Sequence, residues 1–167
     1  GIRIFERDST ASGLIEFRGL GVVDAPLPLV ATVLFDTNRR LEWIKGLGET
    51  RIVRWAGEDT FVEYDHIELP IFFTDRDFVT RVRMSADPGS RELVFRFQAV
   101  EDPAVPPTDH LRGEVINMTF VLSSIESGAR TSVDAQFLCD PKCQNAVKMI
   151  AIKKWNLHCG ILRAEFA

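Results

Sequence analysis

The sequence predicts an α+β protein in which a curved antiparallel sheet wraps around a long C-terminal helix, with two short helices after the second strand. Between residues 49 and 140 the chain contains a series of segments with the two-residue alternation typical of strands. From about residue 142 to residue 166 it places apolar residues around much of a helix, and such a helix must be covered by other structure. A sheet of consecutive antiparallel strands has one face available to cover it.

The first part of the chain predicts a hairpin followed by the two short helices. Segments 2–7 and 14–23 alternate and are joined by a turn, which is typical of two paired strands. Asp24 and Pro26 precede apolar residues at helical spacing, so we expect a helix with Asp24 as its N-cap. A second short helix is expected between residues 41 and 47.

Six strands are predicted to follow, separated by turns rich in Gly, Ser, Asp and Pro. Segment 101–112 is predicted to be a longer loop, because its three prolines do not fit into a continuous ladder of hydrogen bonds. The approximate strand limits are 50–55, 60–69, 77–85, 92–100, 113–125 and 130–139.

Length and charge limit the possible classes of function. The 167 residues fit one domain, residues 1–167, and we expect a monomer. The 20 basic and 24 acidic residues argue against a nucleic-acid partner, because phosphate binding needs a basic face. No apolar run approaches the length of a membrane span. The compartment stays open: cytoplasmic or, after removal of a signal peptide, periplasmic or secreted.

Alternation divides each predicted strand into an inner and an outer face. Arg81 and Arg83 assign their own face, together with Val79, to the outside, so Phe78, Thr80 and Val82 point inward. This apolar set could fill a solid core or line a cavity. By the same reasoning the inner face contains Leu93, Phe95, Phe97, Ile116, Met118, Phe120, Leu122, Val133, Ala135, Phe137 and Cys139.

Tyr64 and His66 share a strand face with Val62. If that face points inward, they are polar groups in an apolar pocket, of the kind that orients a ligand. The alternatives are that His66 is satisfied by a backbone carbonyl or that the strand faces the other way.

Candidate catalytic and metal-binding residues are few. No serine lies in a nucleophile elbow, and Tyr64 with His66 is the only candidate acid–base set. Cys139, Cys143 and His158 match no zinc-binding spacing. We therefore expect no metal and no cofactor.

The segment between the fourth and fifth of the eight predicted strands carries the most information. Pro70, Ile71, Phe72 and Phe73 form an apolar run in a connection, which needs a core, a ligand or a bilayer as its partner. The run is followed by the motif Asp75-Arg76-Asp77-Phe78-Val79, whose charged residues are expected to brace the turn by bonding loop carbonyls.

This motif resembles the corresponding strand of StAR-related lipid-transfer (START) domains, which have the helix-grip fold shared with birch-pollen-allergen-like proteins and polyketide cyclases. Other stretches that resemble the family are 1–7, 21–26, 40–43, 62–64 and 140–142. The resemblance implies that residues 70–73 form a gate that makes transient membrane contact. It implies a cavity for a lipid or other hydrophobic small molecule, lined by Tyr64, His66, Phe78, Thr80, Val82, Phe95, Phe97, Met118, Phe120, Phe137 and Ile150.

The chain departs from the family pattern at one position that bears on the ligand. Some sterol-binding members place an Arg in the cavity six residues after the Arg of the motif, and this chain has Val82 there. The resemblance implies binding, with intermembrane transfer or presentation of the ligand. The alternatives are a cyclase or aromatase-type enzyme in the same fold and a ligand sensor without transfer activity.

Overall fold

The computed structural model describes residues 1–9, 13–70, 73–87 and 89–142. The predicted C-terminal helix, including Ile150, lies outside the described residues apart from residue 142. So do Ile71 and Phe72 of the predicted gate.

The described part of the chain contains two α-helices and nine strands. Eight of the strands follow the predicted order, and the ninth is a short strand that was not predicted. A single 3₁₀ turn, Thr37–Arg39, leads into the second helix, and another, Glu126–Gly128, connects the last two strands. The elements are β1 Arg3–Asp8, β2 Ile15–Val23, α1 Leu27–Phe35, α2 Arg40–Trp43, β3 Leu47–Trp55, β4 Thr60–Ile67, β5 Arg76–Asp87, β6 Glu92–Ala99, β7 Leu111–Arg112, β8 Glu114–Ile125 and β9 Arg130–Asp140.

The strands form one curved sheet in the order β1-β2-β9-β8-β6-β5-β4-β3, and all neighbours in this order are antiparallel. The predicted fold class is confirmed. The two-residue strand β7 is the addition, and it pairs in parallel with the start of β5, where Arg76 lies opposite Leu111 and Asp77 opposite Arg112.

The two short helices differ from the prediction at their ends. Asp24 is not the N-cap of α1, because its carboxylate accepts a 2.5 Å hydrogen bond from Arg130, and Pro26 occupies the cap position instead. Helix α2 ends at Trp43. Gly46 adopts a φ of +79°, which turns the chain into β3 three residues earlier than predicted.

The core lies on the inner face of the sheet, where α1 packs across the strands. Phe35 of α1 contacts Phe95, with ring centroids 4.1 Å apart, and meets Phe61 edge-on at 6.0 Å. Val82 and Leu122 are fully buried in the same cluster.

The outer face of the sheet is also partly covered, which the strand pattern does not reveal. Val79, predicted to lie on the outer face with Arg81 and Arg83, is only 2% exposed. It packs with Val62, Tyr64 and Val105 in a second cluster, since loop 101–112 folds over this part of the sheet. Val79 therefore lies on the predicted outer face, but the loop covers that face here.

A β-bulge corrects the prediction for the start of β8. The pairing with β9 shifts between Val115 and Asn117, so the alternation slips by one residue at Ile116. Val115 is buried in the core and Ile116, predicted to point inward, is 41% exposed. From Met118 onward the inward and outward side chains of β8 alternate as predicted.

Candidate functional site: an apolar cavity with a buried charged group

A cavity lies on the inner face of the sheet, between the strands and helices α1 and α2. The space available to the centre of a water molecule is about 100 Å³, and the whole atom-free volume, including solvent at its open side, is about 870 Å³. Its described lining consists of Leu34, Phe35, Arg40, Trp43, Ile44, Leu47, Glu63, Asp65, Ile67, Phe78, Thr80, Phe95, Phe97, Val115, Met118, Phe120, Phe137 and Cys139.

Most of the residues that the sequence placed on the inner face meet at this cavity. Val82 lies on the same face but is fully buried in the core rather than at the cavity surface. The Phe73 amide donates to the Pro70 carbonyl at 2.8 Å, and neither residue belongs to the described lining. The predicted residues at the cavity wall are Phe78, Thr80, Phe95, Phe97, Met118, Phe120 and Phe137.

Strand β4 faces the opposite way from the prediction. Glu63, Asp65 and Ile67 point to the cavity, and Tyr64 and His66 lie on the outer face. The sequence rule that charged residues face water fails here, because these carboxylates have a buried partner.

The outer face provides partners for both displaced residues. Tyr64 is 4% exposed in the second apolar cluster, and the Arg51 guanidinium lies 5.0 Å from the centre of its ring. His66 Nε2 lies 3.0 Å from Asp75 Oδ2, and its ring stacks on that of His110.

The partner of the cavity carboxylates is Arg40, the first residue of α2. Its Nη1 donates to Glu63 Oε2 at 2.8 Å and lies 3.9 Å from Asp65 Oδ1. Its Nε donates to the carbonyl of Leu34 at 3.1 Å, which fixes the guanidinium at the C-terminal end of α1. We call Arg40, Glu63 and Asp65 the cavity triad. The sequence signal for it was the pair of acidic residues alternating with Val62, Tyr64 and His66 on β4.

Burial changes the proton affinity of each member of the cavity triad. Removal from water and the nearby Asp65 raise the pKa of Glu63 to about 7, although Arg40 opposes this. Removal from water likewise raises the pKa of Asp65. The same burial disfavours the charged form of Arg40, but the two carboxylates outweigh it and leave the pKa of Arg40 raised.

Two polar atoms at the cavity have no hydrogen-bond partner among the described residues. They are the indole Nε1 of Trp43, a donor, and Oδ1 of Asp65, an acceptor. An unpaired buried polar group costs about 1–3 kcal/mol. The cavity wall therefore presents one unpaired donor, the Trp43 indole, whereas Asp65 Oδ1 has Arg40 Nη1 at 3.9 Å and Asp65 also interacts with the hydroxyl of Thr50.

Comparison with known proteins shows that this chain is similar to lipid transfer proteins. No family model matches the chain. The phosphatidylcholine transfer proteins of Rattus norvegicus and Mus musculus are 29% and 28% identical to it over 109 residues, which is 64% of this chain and 50% of each relative. The chain thus spans about half the length of the curated relatives it matches. Both are named as transfer proteins rather than enzymes.

Solved structures agree over a larger share of the chain. Human STARD10 superposes with a TM-score of 0.81 and 18% identity, over 94% of this chain and 64% of that one. Human StAR-related lipid transfer protein 5 gives 0.81 and 18%, over 98% and 81%. A STAR-related lipid transfer protein from Xanthomonas axonopodis gives 0.76 and 18%, over 98% and 92%. This chain has the START fold.

The START-like motif at β5 has the bracing role that the sequence suggested. Arg76 Nε donates to the carbonyl of Pro141 at 3.1 Å, and its Nη1 donates to the carbonyl of Thr74. Asp77 is fully buried, and its carboxylate accepts hydrogen bonds from both Arg112 and Thr108. The two charged residues thus fix the START strand to the segments on either side.

The arginine in this START-like cavity comes from a different element than in the sterol-binding members described above. Val82 stands where some sterol-binding members have an Arg, whereas Arg40 is supplied by α2. In the sequence, Arg40 is part of the family-like stretch 40–43, and no local pattern indicates its role in the cavity. No helix within the described residues is long and apolar enough to cross a membrane.

Proposed function

We propose that this chain binds a lipid or another amphipathic small molecule in the cavity and transfers it between membranes or presents it. The observation that supports this most directly is an apolar wall that also contains polar groups, the cavity triad and the indole of Trp43. The apolar part of a ligand would be removed from water there, which contributes about 25 cal/mol per Å². The similar proteins include phosphatidylcholine and StAR-related lipid transfer proteins, which supports the same class of ligand.

The hydrogen-bonding needs of two cavity atoms limit which chemical groups can form the polar end of the ligand. The Trp43 indole requires an acceptor, and Asp65 Oδ1 can accept a further hydrogen bond from a donor. A hydroxyl group can be both, and a zwitterionic head can offer an anionic acceptor and a cation. Either would satisfy the two atoms at once.

The charge of the cavity triad further limits the net charge that the polar end of the ligand can carry. One guanidinium faces two carboxylates, so the triad is neutral when one carboxylate is protonated and carries one negative charge when both are ionised. A ligand with a net negative charge would meet no excess of positive charge. We therefore infer a neutral or zwitterionic polar end.

The size of the cavity implies that binding widens it. Pockets for drug-sized ligands measure about 300–1,000 Å³, and the water-accessible space here is about 100 Å³. We also propose that residues 1–167 form one domain, which acts as a monomer and makes transient contact with the membrane.

The test is a competition among lipids. The natively purified protein is first extracted with organic solvent and its lipids are identified by mass spectrometry. The delipidated protein is then incubated with vesicles containing equal amounts of phosphatidylcholine, phosphatidylserine and diacylglycerol, re-isolated and extracted again. We expect retention of the zwitterionic or the neutral lipid. No retained lipid in either extraction, or selective retention of phosphatidylserine, contradicts the proposal.

The enzyme alternative has lost the residues on which it depended. It needed an acid–base pair aimed at the cavity, and Tyr64 and His66 face away from it. Glu63, whose pKa is about 7, can exchange protons near neutral pH. Turnover of any ligand that disappears in Glu63→Gln while binding persists would favour the enzyme.

A further inference from the structure

Three side chains with metal-binding atoms meet on the outer face of the sheet, away from the cavity. His66 is the penultimate residue of β4, Asp75 precedes β5, and His110 lies in the loop before β7. One ligand atom from each lies within 4.8 Å of the other two, and His66 Nε2 and Asp75 Oδ2 are 3.0 Å apart. The two imidazole rings stack with centroids 4.2 Å apart.

Asp75 is held as metal-binding carboxylates usually are, by hydrogen bonds to the oxygen that is not offered. Its Oδ1 accepts the backbone N–H of Leu69 at 2.8 Å, so Oδ2 is left facing His66. Its own carbonyl accepts the N–H of Leu111 at 3.0 Å, which positions the backbone. The Leu69 amide, the His66 ring and the charge of His110 lower the pKa of Asp75, so the carboxylate is ionised at neutral pH.

The cluster is also accessible. The side chains of His66 and Asp75 are 16% and 30% exposed, and His110 is half-buried. An ion could therefore enter from solvent, and a water molecule could complete its coordination.

We propose that His66, Asp75 and His110 form a binding site for a borderline-soft divalent cation such as Zn²⁺. Two imidazoles and a carboxylate suit zinc, copper or nickel rather than magnesium or calcium, which prefer oxygen ligands. Tetrahedral Zn²⁺ with bonds of about 2.0–2.2 Å needs ligand atoms roughly 3.3 Å apart. His66 and Asp75 already approach this spacing, and rotation of the His110 ring brings in the third ligand.

A bound ion would join three segments that are separate in the chain: the end of β4, the start of β5 and the loop before β7. Since it would bind only the folded arrangement, the ion should raise the melting temperature. We expect a rise of about 5–10 °C at a Zn²⁺ concentration 100 times the dissociation constant.

The first experiment titrates metal-free protein with ZnCl₂ and follows the imidazole nitrogens in long-range ¹H–¹⁵N spectra. The chain has three histidines, so His158 serves as an internal reference. The proposal expects the signals of His66 and His110 to shift together and to saturate at one equivalent. Shifts confined to His158, or no shift at all, overturn it without requiring any variant.

The second experiment measures Zn²⁺ affinity by competition with a chromophoric chelator. His66→Asn and His110→Ala should each weaken binding about 10- to 100-fold and abolish the thermal shift. Two control variants should bind as the parent does: Asp109→Asn, which removes an exposed charge beside His110, and Cys143→Ser/Cys159→Ser, which removes two thiols. Unchanged affinity in both histidine variants, or lost affinity in the cysteine variant alone, contradicts the site.

Discussion

Arg40 Nη1 donates a 2.8 Å hydrogen bond to Glu63 Oε2 in the wall of an apolar cavity, with 7% of the Arg40 side chain and 3% of the Glu63 side chain exposed. Removing two ions from water costs several kcal/mol for each, and their attraction repays this only when the geometry is good. A pair of this kind is therefore poor evidence of a stabilising role. The pair and the unpaired Trp43 indole line the same cavity, so we attribute the pair to the ligand binding proposed above.

Removing the cation should unfold the protein more readily. Arg40→Met leaves two carboxylates buried without their partner, and we expect a loss of about 3–5 kcal/mol in the free energy of unfolding at pH 8. The control is Arg39→Met, which removes an exposed arginine from an ion pair with Glu42 on the same turn. Urea denaturation should place the control with the parent, and equal midpoints for all three proteins would argue against the buried pair.

The pH dependence of stability should reveal the raised pKa of Glu63. Because the folded protein holds this proton more tightly than the unfolded chain, Glu63 favours folding below about pH 4.5, and this contribution is lost as the pH rises through about 7. Each unit of pKa difference corresponds to about 1.4 kcal/mol, so a few kcal/mol are involved.

Glu63→Gln should flatten the decline in unfolding free energy between pH 5 and pH 8. Glu42→Gln is the matched control, since the pKa of Glu42 is lowered by Arg39 and the residue should not titrate in this range. Urea titrations at four pH values measure the slopes. A Glu63→Gln slope equal to that of the parent would contradict the assignment.

A single methyl group should disturb the cavity wall at Gly113. A Cβ added there would collide with the Phe78 ring, which lines the cavity. We expect Gly113→Ala to cost about 1–3 kcal/mol by overpacking. Gly57→Ala is the control, because the nearest atom to a Cβ there is 3.8 Å away. Gly113→Ala combined with Phe78→Leu should recover part of the loss, and no recovery would locate the strain elsewhere.

The sheet was predictable from sequence because the central strands carry clean alternation and their turns carry Gly, Asp and Pro. The inward set from Phe78 to Phe137 followed from that alternation alone. Strand β4 was not predictable in the same way, because both of its faces are covered. The Tyr64 face lies beneath the loop and the Glu63 face meets Arg40, a residue 23 positions away whose approach no local pattern reports.

The bulge at Ile116 escaped prediction for a different reason. A bulge inserts one residue into an otherwise regular strand, and Ile is as suited to the inner face as Val115. Neither propensity nor hydrophobicity distinguishes the two. The pairing with β9 decides which residue is turned to solvent.

The bulge supplies a matched pair of variants for testing occupancy of the cavity. Met118 lines the cavity and Ile116, two residues before it, is exposed. Met118→Trp should fill space and reduce lipid retained per protein several-fold, while Ile116→Trp should retain as much as the parent. Mass spectrometry of extracts from equal amounts of folded protein measures this. Equal loss in both variants would mean that the lipid is held elsewhere.

Residues 77 and 78 on β5, and residues 112 and 113 beside them, connect the two sides of the sheet. Asp77 is bound by Arg112 on the outer face, and its carbonyl accepts the N–H of Gly113 at 2.9 Å. The next residue, Phe78, rests against Gly113 on the cavity side. Opening of loop 101–112 therefore cannot leave the cavity wall undisturbed. The loop and this part of the wall form one cooperative unit, and their amides should lose protection from hydrogen exchange together.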